Sequence, residues 1–460
     1  MAPLSKAGAA LTALREDLSG EVFAPDDPGY DDARTVFNGM VDRRPAAIAQ
    51  CESEADVVTA IRFARELDLP VAVRGGGHSV AGNALGDGAL VVDLRRMNEV
   101  TVHPAARAIR VGGGALMGDL DRACAPHALA TTGGRVSTTG VGGLVLGGGS
   151  GWLDRAFGLA VDNLLGVDLV TADGETLTAT AEDNTELFWA LHGGGGNFGV
   201  ATSLTLRAHP LPAFAVALVL YEPESGPEVA RLYRDLLEAA PPRAGGGVIF
   251  MTGPPAPFVP PERVGTLLCG ALVTYAGTEE EMRGVARPLL ALPHVAELVT
   301  AIPYADFQCM LDDPPGLRNY WSAEYLTGAP DALLDVFCAR ASSMPVPTAT
   351  QHVLFPLGGA IADGPTDYPV PYRDSPWAMH PFAAWEDPAD DERCRQWVKD
   401  VRADAAPWST GAVYLNFTGD EGPERVAAGL GAENLRRLAG VKARYDPDNV
   451  FRFNHNIRPA

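Results

Sequence analysis

The chain has 460 residues with 36 Lys+Arg and 58 Asp+Glu, so 36 − 58 leaves a net charge of −22 at pH 7. Hydrophobic residues are 47% and charged residues 20%, a balance that excludes wholesale disorder, collagen and a coiled-coil rod. The negative charge argues against a nucleic-acid or anionic-membrane partner, because both are themselves negative. No apolar run approaches the roughly 18 residues of a membrane span.

Residues 1–45 read as a helical lead-in, with Asp26-Asp-Pro-Gly29 as a turn. Ala47-Ile-Ala49 reads as a short strand. Ser53 then caps a helix, with Asp56 three residues on in capping-box position and Val57, Val58, Ile61 and Ala64 on one face. Strands are expected at Val71 to Arg74, Leu90 to Leu94 and Ala108 to Val111, and a helix from Met117 to Ala125. A glycine-rich stretch runs from Gly133 to Gly158. Strands at Gly166 to Val170, Thr176 to Ala179 and Val200 to Leu206 close this part.

Residues 213–410 carry more proline, helices at Glu228 to Glu238, Thr278 to Leu292 and Asp331 to Ser343, and scattered strands. Residues 411–460 return to a strand (Ala412 to Phe417) and a helix (Glu433 to Val441). The pattern is α+β, with a domain over 1–212 (core about 42–212), a second, cap-like domain over 213–410 and a C-terminal segment over 411–460.

The six cysteines form no CxxC pair, so no zinc site or redox dithiol is expected, and at this size no disulfide framework. With no basic, apolar leader at the N-terminus, the expected location is cytoplasmic. No HExxH, Walker or EF-hand pattern is present, so no metal is expected. Glycine is the odd feature: 51 residues, well above the roughly 7% of average composition. One cluster spells GxGxxG at Gly194, Gly196 and Gly199, but a helix precedes it and a strand follows, the reverse of a nucleotide-binding turn. Gly77-His-Ser-Val-Ala81 resembles a hydrolase elbow around Ser79, yet the helix that an elbow requires is broken three times by glycine. Two loops remain, Arg74-Gly-Gly-Gly-His-Ser79 and Gly140-Val-Gly-Gly-Leu-Val-Leu-Gly-Gly-Gly-Ser-Gly151. Glycine lets backbone approach a ligand and aim successive N–H groups at one anion, so the two loops suit a diphosphate.

These residues resemble a family. Val71 to Ser79 looks like the flavin-attachment loop of FAD-linked oxidases of the vanillyl-alcohol-oxidase (PCMH) type. Thr139 to Leu153 and Gly158-Leu-Ala-Val-Asp-Asn163 resemble its next two blocks. Tyr414-Leu-Asn416 and Val441 to Phe451 resemble the C-terminal block of the berberine-bridge-enzyme-like branch. Five blocks in order cover about Asp42 to Ile457. Within the branch the chain looks most like bacterial members of polyketide biosynthesis, such as the enterocin-pathway flavoenzyme.

The resemblance implies a two-part FAD-binding domain completed by the C-terminal segment 411–460, with 213–410 as a cap-like substrate domain, and FAD held by a single covalent link through His78. It places the backbone of Arg74, Gly75, Gly76, Gly77 and Ser79 on the pyrophosphate. Thr138, Gly140, Gly142 and Gly143 would line the same cofactor, with Asn163 and Val200 near its far end and Tyr414 and Asn416 closing over the flavin. Val136 stands where doubly linked members carry cysteine, and Cys124 is too far upstream to replace it. Phe417 stands where many relatives keep a tyrosine base, Ser150 replaces a second tyrosine, and Val353 falls near the glutamate of the enterocin-type rearrangement. Candidates for the base are then Tyr320, Glu324, Tyr325 and His352; an enolate-like or phenolate substrate would need no strong base. The expected activity is oxidation of a small organic, polyketide-like substrate by hydride transfer to flavin N5 with O2 as acceptor. A flavin monooxygenase and a non-catalytic flavin-binding protein are the alternatives.

Overall fold

A computed structural model describes residues 2–460. Local sequence signals set many of its elements. Glu54–Glu66 is helical, and its start is the capping box: Ser53 Oγ accepts from Asp56 N–H, and the Asp56 carboxylate accepts from Ser53 N–H. Val57, Ala60, Ile61 and Ala64 are fully buried on one face of it. That face packs on a four-stranded sheet ordered Val22–Phe23, Ala47–Gln50, Leu90–Asp93, Val71–Arg74, whose last three strands run parallel.

A five-stranded antiparallel sheet follows, ordered Val100–His103, Ala108–Gly112, Val200–Arg207, Leu164–Val170, Thr176–Thr180. The third layer is an antiparallel sheet of eight strands built from residues 215–385. Its order is Ala296–Ala301, Ala215–Tyr221, Leu267–Tyr275, Ala244–Thr252, Gln351–Pro356, Trp377–Trp385 and Arg318–Trp321, with Glu324–Leu326 also paired to Trp377–Trp385. Helices Gly226–Ala239, Glu279–Leu290, Asp331–Ala341 and Asp391–Ala405 cover one face of this sheet and bury its largest core. The other face turns toward the glycine-rich loops. The architecture is mixed α+β with no closed barrel, as expected.

Two elements differ from the sequence reading. Val141–Leu146 is a helix inside the glycine-rich run. Glycine disfavours helix locally, but Val141, Leu144, Val145 and Leu146 bury against the five-stranded sheet's core, and packing prevails. Conversely, Ala412 to Phe417 is not a strand: it is extended backbone ending in a 3-10 turn at Leu415–Phe417, because Tyr414 and Asn416 spend their polar atoms on the glycine loop. The described cysteines form no disulfide; Cys51, Cys124, Cys269 and Cys394 are buried, Cys309 is exposed and Cys338 half-buried. No described helix is long and apolar enough to cross a membrane, and no described cluster of His, Cys, Asp or Glu could hold a metal ion.

Candidate active site

A cavity of about 360 Å³ lies between the glycine loops and the eight-stranded sheet. One side of it is glycine backbone. Gly75, Gly76, Gly77, Gly140, Gly142 and Gly143 all line it. The two loops touch so closely that a Cβ on Gly76 would stand 2.6 Å from Gly140 Cα and N, and one on Gly140 would run into Gly76 backbone. Gly77 has φ +74°, a conformation that favours glycine. The backbone N–H groups of Gly75, Gly76, Gly77 and Ser79 find no acceptor among the described residues. Such a run of unsatisfied donors is a nest for an anion. Around Gly143, Gly195 and Gly196 a Cβ would meet nothing within 4 Å, so the cradle leaves room rather than filling it. Free amides and open glycines fit the diphosphate and rings of a dinucleotide.

The arginine of the first loop does not reach the cavity. Arg74 is buried, and its guanidinium donates to the Ala33 carbonyl at 2.6 Å and to the Thr35 carbonyl. Burial pulls its pKa down to about 10. Its side chain therefore fixes the loop to residues 33–35 and brings no charge to the cavity.

The third glycine cluster belongs to the same cavity. Its setting is the one expected, with helix Thr185–Ala190 before it and strand Val200–Arg207 after it. Yet Gly193 to Gly196, Asn197 and Gly199 line the same cavity, which corrects the reading that only two clusters form the cradle. The spelling was misleading only about the Rossmann turn. A buried cation holds the cluster: Lys442 Nζ donates to Asn197 O at 2.7 Å, Phe451 O at 2.9 Å and Asp446 Oδ2 at 2.6 Å.

The remaining cofactor candidates divide. His78 lines the cavity; its ring stacks on Phe37 with centroids 3.7 Å apart, and Nε2 lies 3.3 Å from Thr138 Oγ1. Burial lowers its pKa to about 4, so the imidazole is neutral and keeps a lone pair. Tyr414 and Asn416 line the cavity too. The Tyr414 oxygen accepts from Gly149 N–H and Ser150 N–H at 3.1 Å and from Asn416 Nδ2 at 3.0 Å. Asn416 Nδ2 also donates to Leu144 O at 3.0 Å, so the C-terminal segment is pinned to the second loop. Thr138, Asn163 and Val200 lie outside the lining: Thr138 Oγ1 reaches the His78 ring, Asn163 donates to Phe157 O and Leu159 O, and Val200 packs in the core of the four-stranded sheet.

Strand parity decides the substrate side. Side chains alternate across a sheet, so Gln351, Val353 and Phe355 face the cavity while His352 and Leu354 face the helices. Val353 pairs with His380, and Gln351 with Phe382, placing those two on the cavity face as well. None of the four side chains named for proton transfer lines the cavity. His352 points to the helix side, between the Phe337 and Trp397 rings, and neither nitrogen has a hydrogen-bond partner. Tyr320 and Glu324, one on each side of Trp321–Ala323, pair with Ala383 and Met379 and share the helix-facing parity. The Glu324 carboxylate is consumed by Arg425 at 2.7 Å, Arg402 at 3.1 Å and Ser409 Oγ at 2.6 Å. Tyr325 is buried against Tyr372 in a neighbouring cluster.

Three groups that sequence reasoning missed line the cavity instead. His380 is sandwiched beside Phe417, with rings stacked 4.2 Å apart at 15°. Arg135 lies over the Phe355 ring at 4.1 Å and donates to Ser150 O at 3.0 Å and Ser150 Oγ at 3.1 Å. Asp313 sits at the rim, and burial together with Asp312 raises its pKa to about 6. Apart from Gln351, the rest of this wall is mainly apolar and aromatic: Trp152, Ile249, Leu272, Trp321, Phe355 and Phe382. His380 follows Met379 and precedes Pro381, a residue rare in central strands, so the sequence offered no period-2 signal there.

Comparison with known proteins agrees with this geometry. Residues 45–180 match the family model for an FAD binding domain, and residues 413–458 match the berberine and berberine-like model. The (R)-6-hydroxynicotine oxidase of Paenarthrobacter nicotinovorans is 31% identical over 465 residues, spanning 96% of this chain and 97% of that protein. The crystal structure of 6-hydroxy-D-nicotine oxidase from Arthrobacter nicotinovorans superposes with a TM-score of 0.86 at 28% identity, covering 96% of this chain and 98% of the other. A berberine-bridge-enzyme-like protein of Physcomitrella patens has the same fold, with a TM-score of 0.86 at 22% identity and coverage of 98% and 99%. Glycine cradle, neutral histidine and aromatic wall in one cavity, together with these full-length similarities, establish that the chain belongs to the berberine-bridge-enzyme-like family of FAD-linked oxidoreductases.

Proposed function

We propose that this oxidoreductase carries FAD on a single covalent link through His78 and oxidises a flat, largely apolar small molecule of the polyketide or other secondary-metabolite type. The observation that carries this reading is the division of one cavity into a glycine-backbone side bearing His78 and an aromatic side built by the cap sheet. Bound there, FAD would supply a hydride acceptor at N5, with O2 as the final electron acceptor.

The chain's own residues do the rest. Gly75 to Ser79 hold the diphosphate with backbone donors, and the buried Arg74 keeps that loop in place. The neutral imidazole of His78 is available for bond formation. No cysteine lines the cavity among the described residues, and Val136 stands at its wall, which supports one link rather than two. Trp152, Phe355, Phe382 and Trp321 present ring faces and edges that suit an aromatic or conjugated substrate and exclude water.

The test is anaerobic mixing of the purified yellow protein with conjugated enols, phenols and (R)-6-hydroxynicotine, the last because of the relative's name. Bleaching of the flavin band with at least one of them, followed on aeration by one hydrogen peroxide per product, is expected. Label from 18O2 appearing in the product would make the enzyme a monooxygenase instead. Absence of bleaching across the whole set would refute the substrate class.

A further inference from the structure

Oxidising an O–H or N–H substrate by hydride loss needs an acceptor for the proton. Tyr414 has no capacity to spare, because its oxygen already accepts three N–H donors. No hydrogen bond from another residue orients the Asp313 carboxylate. His380 is different in each respect. Its Nδ1 lies 2.7 Å from the Ser322 carbonyl. A carbonyl can only accept, so Nδ1 carries the hydrogen and Nε2 the lone pair. The Ser322 contact is the ring's one hydrogen bond among the described residues, which leaves Nε2 without a partner, and the His380 side chain belongs to the cavity wall. The ring is immobilised by the face of Phe417 and by Trp321, which meets it edge-on at 5.9 Å.

We propose that His380 is the catalytic base of the oxidation, accepting the substrate's O–H or N–H proton at Nε2. The proposal rests on the oxidase reading above. In the step, the O–H (or N–H) bond breaks and an Nε2–H bond forms. The freed electron pair becomes the π bond to carbon. The hydrogen on that carbon departs with its own pair to the flavin, and the imidazolium later returns its proton to water. Arg135 is the charged group that bears on His380, and His352, also titratable, is itself held neutral by burial; Ser322, Trp321, Phe417, Phe382, Val353 and Phe355 also surround it. Burial, helped by the Arg135 charge, lowers its pKa to about 3, so the ring rests neutral, and the proton moves to it together with hydride loss from the substrate, because so weak a base does not hold the proton on its own.

The experiment uses the flavin-loaded protein with 15N-labelled histidine and 4-nitrophenol as a non-reacting O–H probe. The His380 signals are assigned by their loss in His380→Gln. Nδ1 of the protonated type and Nε2 of the unprotonated type, unchanged from pH 5 to 9, are expected. Adding 4-nitrophenol should move Nε2 upfield, as a lone pair does when it accepts a hydrogen bond, and His380→Gln should bind the probe at least ~10-fold more weakly, the loss of one hydrogen bond. The reverse tautomer, an unmoved Nε2, or equal affinity in the variant would overturn the assignment. So would loss of binding in Asp313→Asn with His380→Gln unaffected. The wild-type tautomer decides the matter even if the variant does not fold. A protein that lacks covalent flavin yet shows this tautomer and shift would fail the oxidase reading and leave the assignment of Nε2 as acceptor standing.

Discussion

Lys442→Met removes a buried positive charge that ties the C-terminal helix Ala432–Tyr445 to the third glycine cluster. In the wild type, Lys442 and Asp446 are both fully buried, and Nζ makes three hydrogen bonds, to Asp446 Oδ2, Asn197 O and Phe451 O. Burial pushes the lysine pKa down, with the Asp446 contact opposing it. Methionine keeps most of the side chain's apolar length but lacks Nζ, so Asn197 O and Phe451 O also lose that donor. Asp446 keeps only the N–H groups of Val450 and Phe451 as donors, and a buried carboxylate faces no cation. Removing one partner of such a pair costs about 3–5 kcal/mol, a large part of the roughly 5–15 kcal/mol that holds an ordinary domain folded. Urea unfolding followed by tryptophan fluorescence should show that loss as a lower midpoint with an unchanged slope. Adding Asp446→Asn removes the stranded charge, keeps an oxygen for the two N–H groups and should recover a good part of the loss. A loss below about 1 kcal/mol in Lys442→Met, or a double variant worse than the single one, would refute the reasoning.

Other expectations follow from the same coordinates. Gly140→Ala places a methyl group against Gly76 backbone, so the two loops must part; purified protein should show a clearly lower flavin-to-protein absorbance ratio. Asp121 is buried, which raises its pKa to about 7 despite the Gln308 hydrogen bond. Its ordinary value in the unfolded chain is about 3.9, so the folded state binds the extra proton, and stability falls as pH rises from about 4 to about 7. Asp121→Asn should therefore be more stable than wild type at pH 8 and no more stable at pH 4, as read from chemical unfolding at each pH. Glu324→Gln weakens the contacts to Arg402 and Arg425; it should cost about 1–3 kcal/mol in stability and leave the flavin spectrum as it was.

Local chemistry made the cofactor side legible in the sequence. A glycine at a close approach leaves a spelling, and Gly76 and Gly140 could be read because no other residue fits where the loops touch. The capping box at Ser53 was equally local. The substrate side was not legible, because it depends on which face of each strand is buried. One residue of register separates His352, which faces the helices, from Val353, which faces the cavity. Both strands that build the wall, Gln351–Pro356 and Trp377–Trp385, are buried on both faces, so they show no apolar–polar alternation. His380, Arg135 and the Gly193 to Gly199 cluster reach the cavity through long-range packing, the cluster by way of a lysine more than 240 residues later in the chain. Tyr414 and Asn416 were found through the resemblance, whereas the local preference of Ala412 to Phe417 for strand was overruled by their bonds to residues 144–150.

The most direct test of the account is peptide mapping of acid-precipitated, protease-digested protein by mass spectrometry with flavin absorbance detection. The account predicts one flavin-bearing peptide, containing Gly75 to Ser79 with the added mass on His78, and a colourless precipitate from His78→Ala. Flavin released entirely into the acid supernatant, or carried on a peptide without His78, would contradict it.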